Sequence, residues 1–170
     1  MMEPVTHSNS IDNAAPILSL WAYLRSWLSA DGGVNGPVVH RSDLKRMFSV
    51  HDTAWTQQAV IRGLLQLYQR SDQAYWLDQA IHLADAQVSR LADDGSFRWS
   101  GHEDDRFAAL VSNAMADCAL LDAAVHLRDA GDKDRFDQYV RTAERNLEDY
   151  IIGALYRTAL GGFAMGRFDH

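Results

Sequence analysis

The sequence predicts an all-α fold of antiparallel helical hairpins, and three observations support this. Apolar residues recur at helical spacing over most of the chain, and no segment alternates with period two over the length of a strand. One hairpin pattern also occurs twice, about 60 residues apart. Because a single hairpin cannot bury its own apolar face, such repeats are typical of helical arrays and rings. We therefore expect a partial (α/α) toroid.

Five long helices and one short helical turn are expected. Their starts are recognised by proline in a first turn, by residues that cap helices, or by negative charge that complements the helix dipole. In chain order the expected starts are Pro16, Ser42-Asp43 for a short turn through Phe48, Asp52 or Thr53, Ser71-Asp72, Asp104-Asp105, and the residues after Gly131-Asp132. Each hairpin is expected to end in a glycine-containing turn, at Asp94-Gly95 for the first and at Gly161-Gly162 for the second.

The helix expected after Asp104-Asp105 has the most regular apolar pattern of the chain. Its stripe consists of Phe107, Leu110, Ala114, Cys118, Leu121 and Val125. We expect this stripe to face the core, with Cys118 as a small buried thiol. The last helix has a comparable stripe, which consists of Phe136, Val140, Ala143, Leu147, Tyr150 and Ala154.

Length, charge and cysteine count narrow the class of protein. The 170 residues suit one helical domain, for which we expect residues 13–170 after a flexible polar tail at residues 1–12. The net charge of -7 disfavours nucleic acid as a partner, and a single cysteine excludes an internal disulfide. No stretch approaches the roughly 18 apolar residues of a membrane span, and the first ten residues lack the features of a signal peptide. We therefore expect a cytoplasmic protein without a membrane partner.

One stretch of the chain, from Trp55 to about Ala114, carries a resemblance to a known family. Its matching residues are Gln57, Ile61, Gly63, Tyr68, Trp76, Leu77, Ala80, Ala84-Asp85, Leu91, Asp94-Gly95, Trp99, Asp105 and Ala108-Ala109. This stretch resembles the six-hairpin (α/α) toroid carbohydrate enzymes, nearest to the unsaturated glucuronyl and rhamnogalacturonyl hydrolases. The resemblance covers about a third of the chain, and sugar epimerases, polysaccharide lyases and terpene-cyclase-like toroids share most of it.

The resemblance implies a glycoside hydrolase acting on oligosaccharides that bear an unsaturated uronic acid, with carboxylates as general acid and base. Asp105 is the carboxylate that the resemblance marks, and Asp52 is the candidate for a second one upstream. A complete toroid needs about twelve helices, and this chain supplies roughly half. A fragment, a domain of a larger protein and a half-ring that completes itself as a homodimer therefore all remain open.

The candidate site residues lie before helix starts, where toroids place their active sites. The run from Trp99 to Asp105 holds His102 and Asp104 beside carboxylates, a combination suited to binding sugar hydroxyls and a pyranose face. The other candidates for substrate binding are His51, Trp55 and Gln57. The alternatives are that Asp52 is an N-cap and that the acidic run is a solvated helix start.

No cofactor is expected, and no metal site is assigned. His51, His102, Glu103 and Asp104 give only a weak metal-ligand pattern, without a His-Glu-x-x-His motif or a cysteine cluster. Two further functions are kept open. One is a non-catalytic helical-hairpin module that binds a partner or its own copy, and the other is a terpene-cyclase-like toroid, which lacks the usual aspartate-rich motif here.

Overall fold

A computed structural model describes residues 14–26, 28, 32–33, 35–39, 47–51, 55–97 and 107–168. Five α-helices make up most of it, and the fold is all-α as predicted. The helices are α1 (Ala14–Arg25), α2 (Trp55–Ser71), α3 (Ala74–Val88), α4 (Leu110–Asp129) and α5 (Lys133–Arg145). A π-helical segment, Asn146–Leu155, continues α5 without a break.

The helices form two hairpins, in which α2 precedes α3 and α4 precedes α5. The helices α2 and α4 lie side by side and run parallel, because Arg62 pairs with Asp122 near their middles and Tyr68 contacts His126 further along. The helices α3 and α5 pack on one side of this pair, where Tyr139 of α5 hydrogen-bonds to Asp85 of α3. We call α2 and α4 the inner helices and α3 and α5 the outer helices.

The core lies between the inner and outer helices. Trp76 of α3 is buried and meets the ring of Trp21 of α1 edge-on, with centroids 5.9 Å apart. The other large buried side chains of this core are Ile61, Leu64, Leu65, Leu83, Phe97, Leu120, Leu127 and Tyr139. Trp76 and Phe97 are thus core residues.

The predicted cap of the third helix is wrong. Ser71 is the last residue of α2, and its hydroxyl donates to the carbonyl of Leu67 in that same helix. Asp72 adopts a left-handed conformation with φ 55°, which turns the chain. The N-cap position of α3 is Gln73, whose side chain makes no capping hydrogen bond. The Ser-Asp pair thus ends α2 and does not start α3.

The predicted core face of α4 is also wrong. Cys118 is exposed, and Leu121 and Val125 are each nearly half exposed. The buried face lies about half a turn away and consists of Ser112, Asn113, Ala116, Asp117, Ala119, Leu120, Ala123, Ala124 and Leu127. Small residues let neighbouring helices approach α4 closely, which explains why the alanine face packs inward.

By length and composition alone, α4 is apolar enough to cross a membrane, with a mean hydropathy of 1.2. This differs from the expectation that no stretch approaches a membrane span. Half of this apolar stretch of α4 is buried within the fold. The core helix of a soluble protein can have the same length and hydropathy.

The last helix is continuous as predicted, but its period changes within it. Asp132 caps α5 by accepting a hydrogen bond from the backbone of Arg135. The π-helical turns that follow have a longer repeat, which rotates the buried face. As a result Asn146, Tyr150, Ile151 and Leu155 are buried, whereas Leu147, a member of the predicted stripe, is exposed.

Within the described residues, three short two-stranded ribbons accompany the helices, although no sheet was predicted. β1 (Asn35–Val39) pairs with β2 (Met47–His51), β3 (Phe107–Ala109) with β6 (Gly166–Phe168), and β4 (Tyr156–Arg157) with β5 (Gly162–Phe163), all antiparallel. The expected helical turn through Phe48 is wrong, because Met47–His51 is a strand. Phe107 is likewise in a strand, so α4 begins later than predicted. The caps proposed at Ser42-Asp43, Asp52-Thr53 and Asp104-Asp105 lie outside the described residues, as does the tail at 1–12.

Candidate functional site

The two inner helices begin at the same end of the fold. Arg62 pairs with Asp122, and Tyr68 contacts His126. Residues of α2 and α4 that lie side by side are therefore about sixty positions apart in the chain. The first residue of α2, Trp55, is therefore level with the first turns of α4. The strand β2 leads to α2 and the strand β3 leads to α4 at this end. We call this the inner-helix end.

Most predicted site residues lie outside the part of the chain that the structure describes. They are Asp52, Trp99, His102, Asp104 and Asp105. For His51 and Trp55 the backbone alone is described, as the last residue of β2 and the first residue of α2. Gln57 is the one candidate whose side chain is described. The structure thus does not test whether these side chains come together.

Gln57 is completely buried and all its described hydrogen bonds are internal. Its Nε2 donates to the carbonyl of Gly32 at 3.2 Å and to that of Leu83 at 2.6 Å, and its Oε1 accepts from Arg90 at 3.2 Å. Gly32 packs so closely on α3 that a Cβ there would lie 2.6 Å from the Cβ of Ala86. These contacts favour a structural role, in which Gln57 holds the chain before α2 against α3.

Asn113, which the sequence analysis missed, hydrogen-bonds to residues on both sides of the segment 98–106. Its Oδ1 accepts from the backbone of Phe97 at 2.6 Å, and its Nδ2 donates to the carbonyl of Phe97 at 3.1 Å and to that of Ala109 at 2.9 Å. The residues on either side of the segment that holds Trp99, His102, Asp104 and Asp105 are therefore attached to the first turn of α4. The signal in the sequence was an asparagine near the start of a largely apolar helix.

Asn146 of the π-helical segment extends this network. Its Nδ2 donates to Oδ1 of Asn113 at 2.7 Å and to the carbonyl of Gly95 at 2.6 Å, and both asparagines are fully buried. The predicted turn at Asp94-Gly95 is confirmed: Gly95 has φ 79°, and the Asp94 carboxylate accepts from the backbone and hydroxyl of Ser96. The turn, the last helix and α4 are thus joined by neutral amides.

A tyrosine of the π-helical segment also holds β3 in place. The hydroxyl of Tyr150 donates a short hydrogen bond to the carbonyl of Ala108, in a small apolar cluster with Ile151 and Leu155. Together with Asn113, this contact orients the strand that enters α4. The strand that leads to the inner-helix end is therefore held by hydrogen bonds from α4 and from the π-helical segment.

One buried carboxyl lies on α4, a turn beyond Asn113. Asp117 is 8% exposed, and its Oδ1 has no hydrogen-bond partner among the described residues. Burial raises the pKa of its carboxyl from 3.8 to about 8, because the charged form loses its hydration. Asp117 belongs to the buried face of α4.

Two grooves flank α2. An apolar groove of about 520 Å³ lies between α1 and α2, lined mainly by Ile17, Leu20, Trp21, Leu24, Val60 and Leu67. A second groove of about 230 Å³, called the polar groove, lies between α2 and α4. Its lining is mostly polar by residue and consists of Arg62, Leu65, Gln66, Gln69, Asp122, Val125 and His126. The polar groove lies toward the far ends of these helices. Among the described residues, no group of three or more His, Cys, Asp or Glu side chains is placed to hold a metal ion.

Comparison with known proteins gives one informative likeness. No family model matches the chain, and no curated protein matches it. A solved structure of unsaturated glucuronyl hydrolase (UGL), described with dGlcA-Glc-Rha-Glc, matches with a TM-score of 0.62 at 16% sequence identity. The match covers 84% of this chain. That enzyme is an α/α toroid.

The chain has the fold of part of an α/α toroid. It spans 41% of the length of the UGL chain. At this identity the likeness shows the fold alone, and it agrees with the predicted partial ring. The predicted single domain at residues 13–170 stays a prediction.

Proposed function

We propose that this protein is carbohydrate-active and belongs functionally with glycoside hydrolases that act on oligosaccharides bearing an unsaturated uronic acid. The observation that carries the proposal is the likeness over most of the chain to UGL, a protein described with dGlcA-Glc-Rha-Glc. We expect the protein to work in the cytoplasm, without a metal or another cofactor.

In the proposed mechanism, carboxylates at the inner-helix end provide general acid and base catalysis. Asp52 and Asp105 exchange a proton with the substrate or with water, and His51 and His102 assist them. Trp55 and Trp99 stack on the sugar, and Asp104 binds hydroxyl groups. Gln57 keeps the chain before α2 in place, consistent with its internal hydrogen bonds.

Two features of the described structure support this location. The strands before α2 and α4 enter at the same end of the fold, which is the arrangement that a site built from the two candidate segments requires. Asn113 holds Phe97 and Ala109, which flank the segment containing Asp105. A catalytic carboxylate needs such support, because an error of about 1 Å in position can lower a rate about 100-fold.

The test is product formation from oligosaccharides with a terminal unsaturated uronic acid, followed by mass spectrometry. We expect the parent protein to release that residue, and Asp52→Asn and Asp105→Asn to reduce the rate by about 100-fold or more. Asp129→Asn, an exposed change at the far end of α4, is the matched control and should keep the parental rate. If both site variants keep the parental rate, the assigned roles are wrong, and if the parent releases nothing, the proposed reaction is wrong.

A non-catalytic interaction module is the second candidate function. Exposed apolar residues on α1 and α4 favour it, since surfaces of this kind mark binding sites for other proteins. The two functions are compatible, because the inner-helix end and these surfaces involve different residues.

A further inference from the structure

The exposed face of α4 carries a regular apolar seam. We define the α4 seam as Val111, Ala114, Cys118, Leu121 and Val125, which follow one another at steps of three, four, three and four residues. This spacing averages 3.5 residues, the repeat by which one helix packs along another. In the structure Val111 is 49%, Leu121 44% and Val125 45% exposed, and Cys118 is exposed.

The rest of α4 is already engaged, which leaves the seam as its remaining face. The side with Asp122 and His126 faces α2, where Val125 also borders the groove, and the alanine side packs against α3 and α5. Asp122 beside the seam is paired with Arg62 at 2.8 Å, and Arg128 and Asp129, one turn beyond Val125, are paired with each other. The seam is therefore an uncharged apolar strip on the surface of a helix, as an interface requires.

The seam is complementary to itself in the antiparallel direction. Cys118 is its midpoint, and Val111 and Val125 lie seven residues before and after it. A two-fold axis through Cys118 would bring Val111 of one copy against Val125 of the other. The larger Leu121 would then pack on the small Ala114, and every contact would be made twice.

We propose that the α4 seam is a homodimer interface, in which the α4 helices of two copies pack antiparallel about Cys118. The seam spans about 21 Å at 1.5 Å per residue. One helix face of this length buries less than the roughly 800 Å² per partner of stable complexes. The dimer therefore forms reversibly, with a dissociation constant on the order of micromolar or weaker. The proposal does not depend on the proposed carbohydrate chemistry.

The single cysteine provides a direct test of this geometry. An added copper(II)–phenanthroline oxidant takes up two electrons as two Cys118 thiols lose their protons and form one S–S bond. We expect a covalent dimer to form rapidly in the parent protein. In Cys118→Ser combined with Gln138→Cys, which places a thiol on an exposed position of α5, cross-linking should fall to the level of random collisions.

A second thiol position distinguishes antiparallel from parallel packing. In Cys118→Ser combined with Leu121→Cys, the two new thiols would be about 9 Å apart along the helix axes if the helices are antiparallel. They would be level with each other if the helices are parallel. We expect cross-linking well below that of the parent, and an equal rate would contradict the antiparallel arrangement.

Interface disruption without cross-linking completes the test. Leu121→Glu places a charge on the seam, whereas Leu147→Glu places one at an equally exposed leucine on the π-helical segment. Light scattering over a concentration range should show a parental dimer that Leu121→Glu abolishes and Leu147→Glu keeps, with unchanged helical circular dichroism. A parent that stays monomeric at all concentrations, with Cys118 cross-linking no faster than the Gln138→Cys control, would overturn the proposal. The seam would then be covered by a different protein or by helices outside this sequence.

Discussion

The buried carboxyl of Asp117 should make the stability of this protein depend strongly on pH. In the folded protein burial raises the pKa of this group to about 8, whereas its value in an unfolded chain is near 3.8. Between these values the folded state binds a proton that the unfolded state releases. The contribution of Asp117 to the free energy of unfolding should therefore be highest below pH 4, and it should decrease as the pH rises toward 8.

The size of this effect follows from the difference between the two pKa values. Each pH unit between them lowers the free energy of unfolding by about 1.4 kcal/mol, so the change from pH 5 to pH 7 is about 3 kcal/mol. This is a large fraction of the stability of a domain, which is typically about 5–15 kcal/mol. Asp117→Asn has nearly the same shape as the protonated acid and cannot ionise, so it removes this contribution.

The assay is urea unfolding of the parent and of Asp117→Asn at several values between pH 5 and pH 7.5. We expect the stability gained by the variant to increase by about 1.4 kcal/mol for each pH unit. The difference in stability between the two proteins removes the contributions of the other titrating groups. Asp129→Asn, which changes an exposed carboxyl on the same helix, controls for a simple change in charge. Parallel pH profiles for the parent and Asp117→Asn would refute the assignment of a protonated buried acid.

Three further changes test the packing around the inner-helix end and the outer helices. Urea unfolding should show that Gly95→Ala loses about 1–3 kcal/mol more stability than Gly131→Ala. Both glycines have positive φ, but a Cβ at Gly95 would lie 2.9 Å from the Cβ of Asp149, whereas a Cβ at Gly131 would meet no atom within 4 Å. Asn113→Ala should cost about 3 kcal/mol or more and should accelerate tryptic cleavage within residues 98–106, because several buried backbone groups lose their partner. Tyr139→Phe should cost about 1–1.5 kcal/mol through the hydrogen bond to Asp85, and an unchanged stability would contradict that contact.

The hairpin architecture was predictable from the sequence because local spacing determines it. The stripe of α2 and the break at Ser71-Asp72 gave the first hairpin, and Gly131-Asp132 gave the turn of the second. The turn at Asp94-Gly95 was also correct, since a glycine is needed at its positive φ. These features depend on residues close together in the chain.

The face of α4 was not predictable, because hydrophobicity alone selected the wrong side. The larger residues Leu121 and Val125 suggested a core stripe, but the alanines at 116, 119, 123 and 124 allow closer packing of three neighbouring helices. The change of face within the last helix depends on its π-helical turns, which have no simple signal in the sequence. The ribbon between β3 and β6 joins residues almost sixty positions apart, so local patterns could not reveal it.

The location of the candidate site stays a prediction, whereas the helices and side chains around it can be compared with the sequence. The sequence placed the candidates before helix starts, and the inner helices α2 and α4 do begin at a common end. The amides of Asn113 and Asn146 were missed because the sequence does not indicate which distant residue a polar side chain inside a helix will contact. Gln57 was selected for sugar binding, yet its described contacts lie wholly inside the fold.

The most direct test of the proposed site uses the tryptophan indole N–H signals in a nitrogen–proton NMR spectrum. An oligosaccharide with a terminal unsaturated uronic acid is titrated into the protein, with single Trp→Phe variants to assign the signals. We predict that the signals of Trp55 and Trp99 shift, while those of the core residues Trp21 and Trp76 stay unchanged. Unchanged Trp55 and Trp99 signals at millimolar oligosaccharide would contradict a sugar site at the inner-helix end.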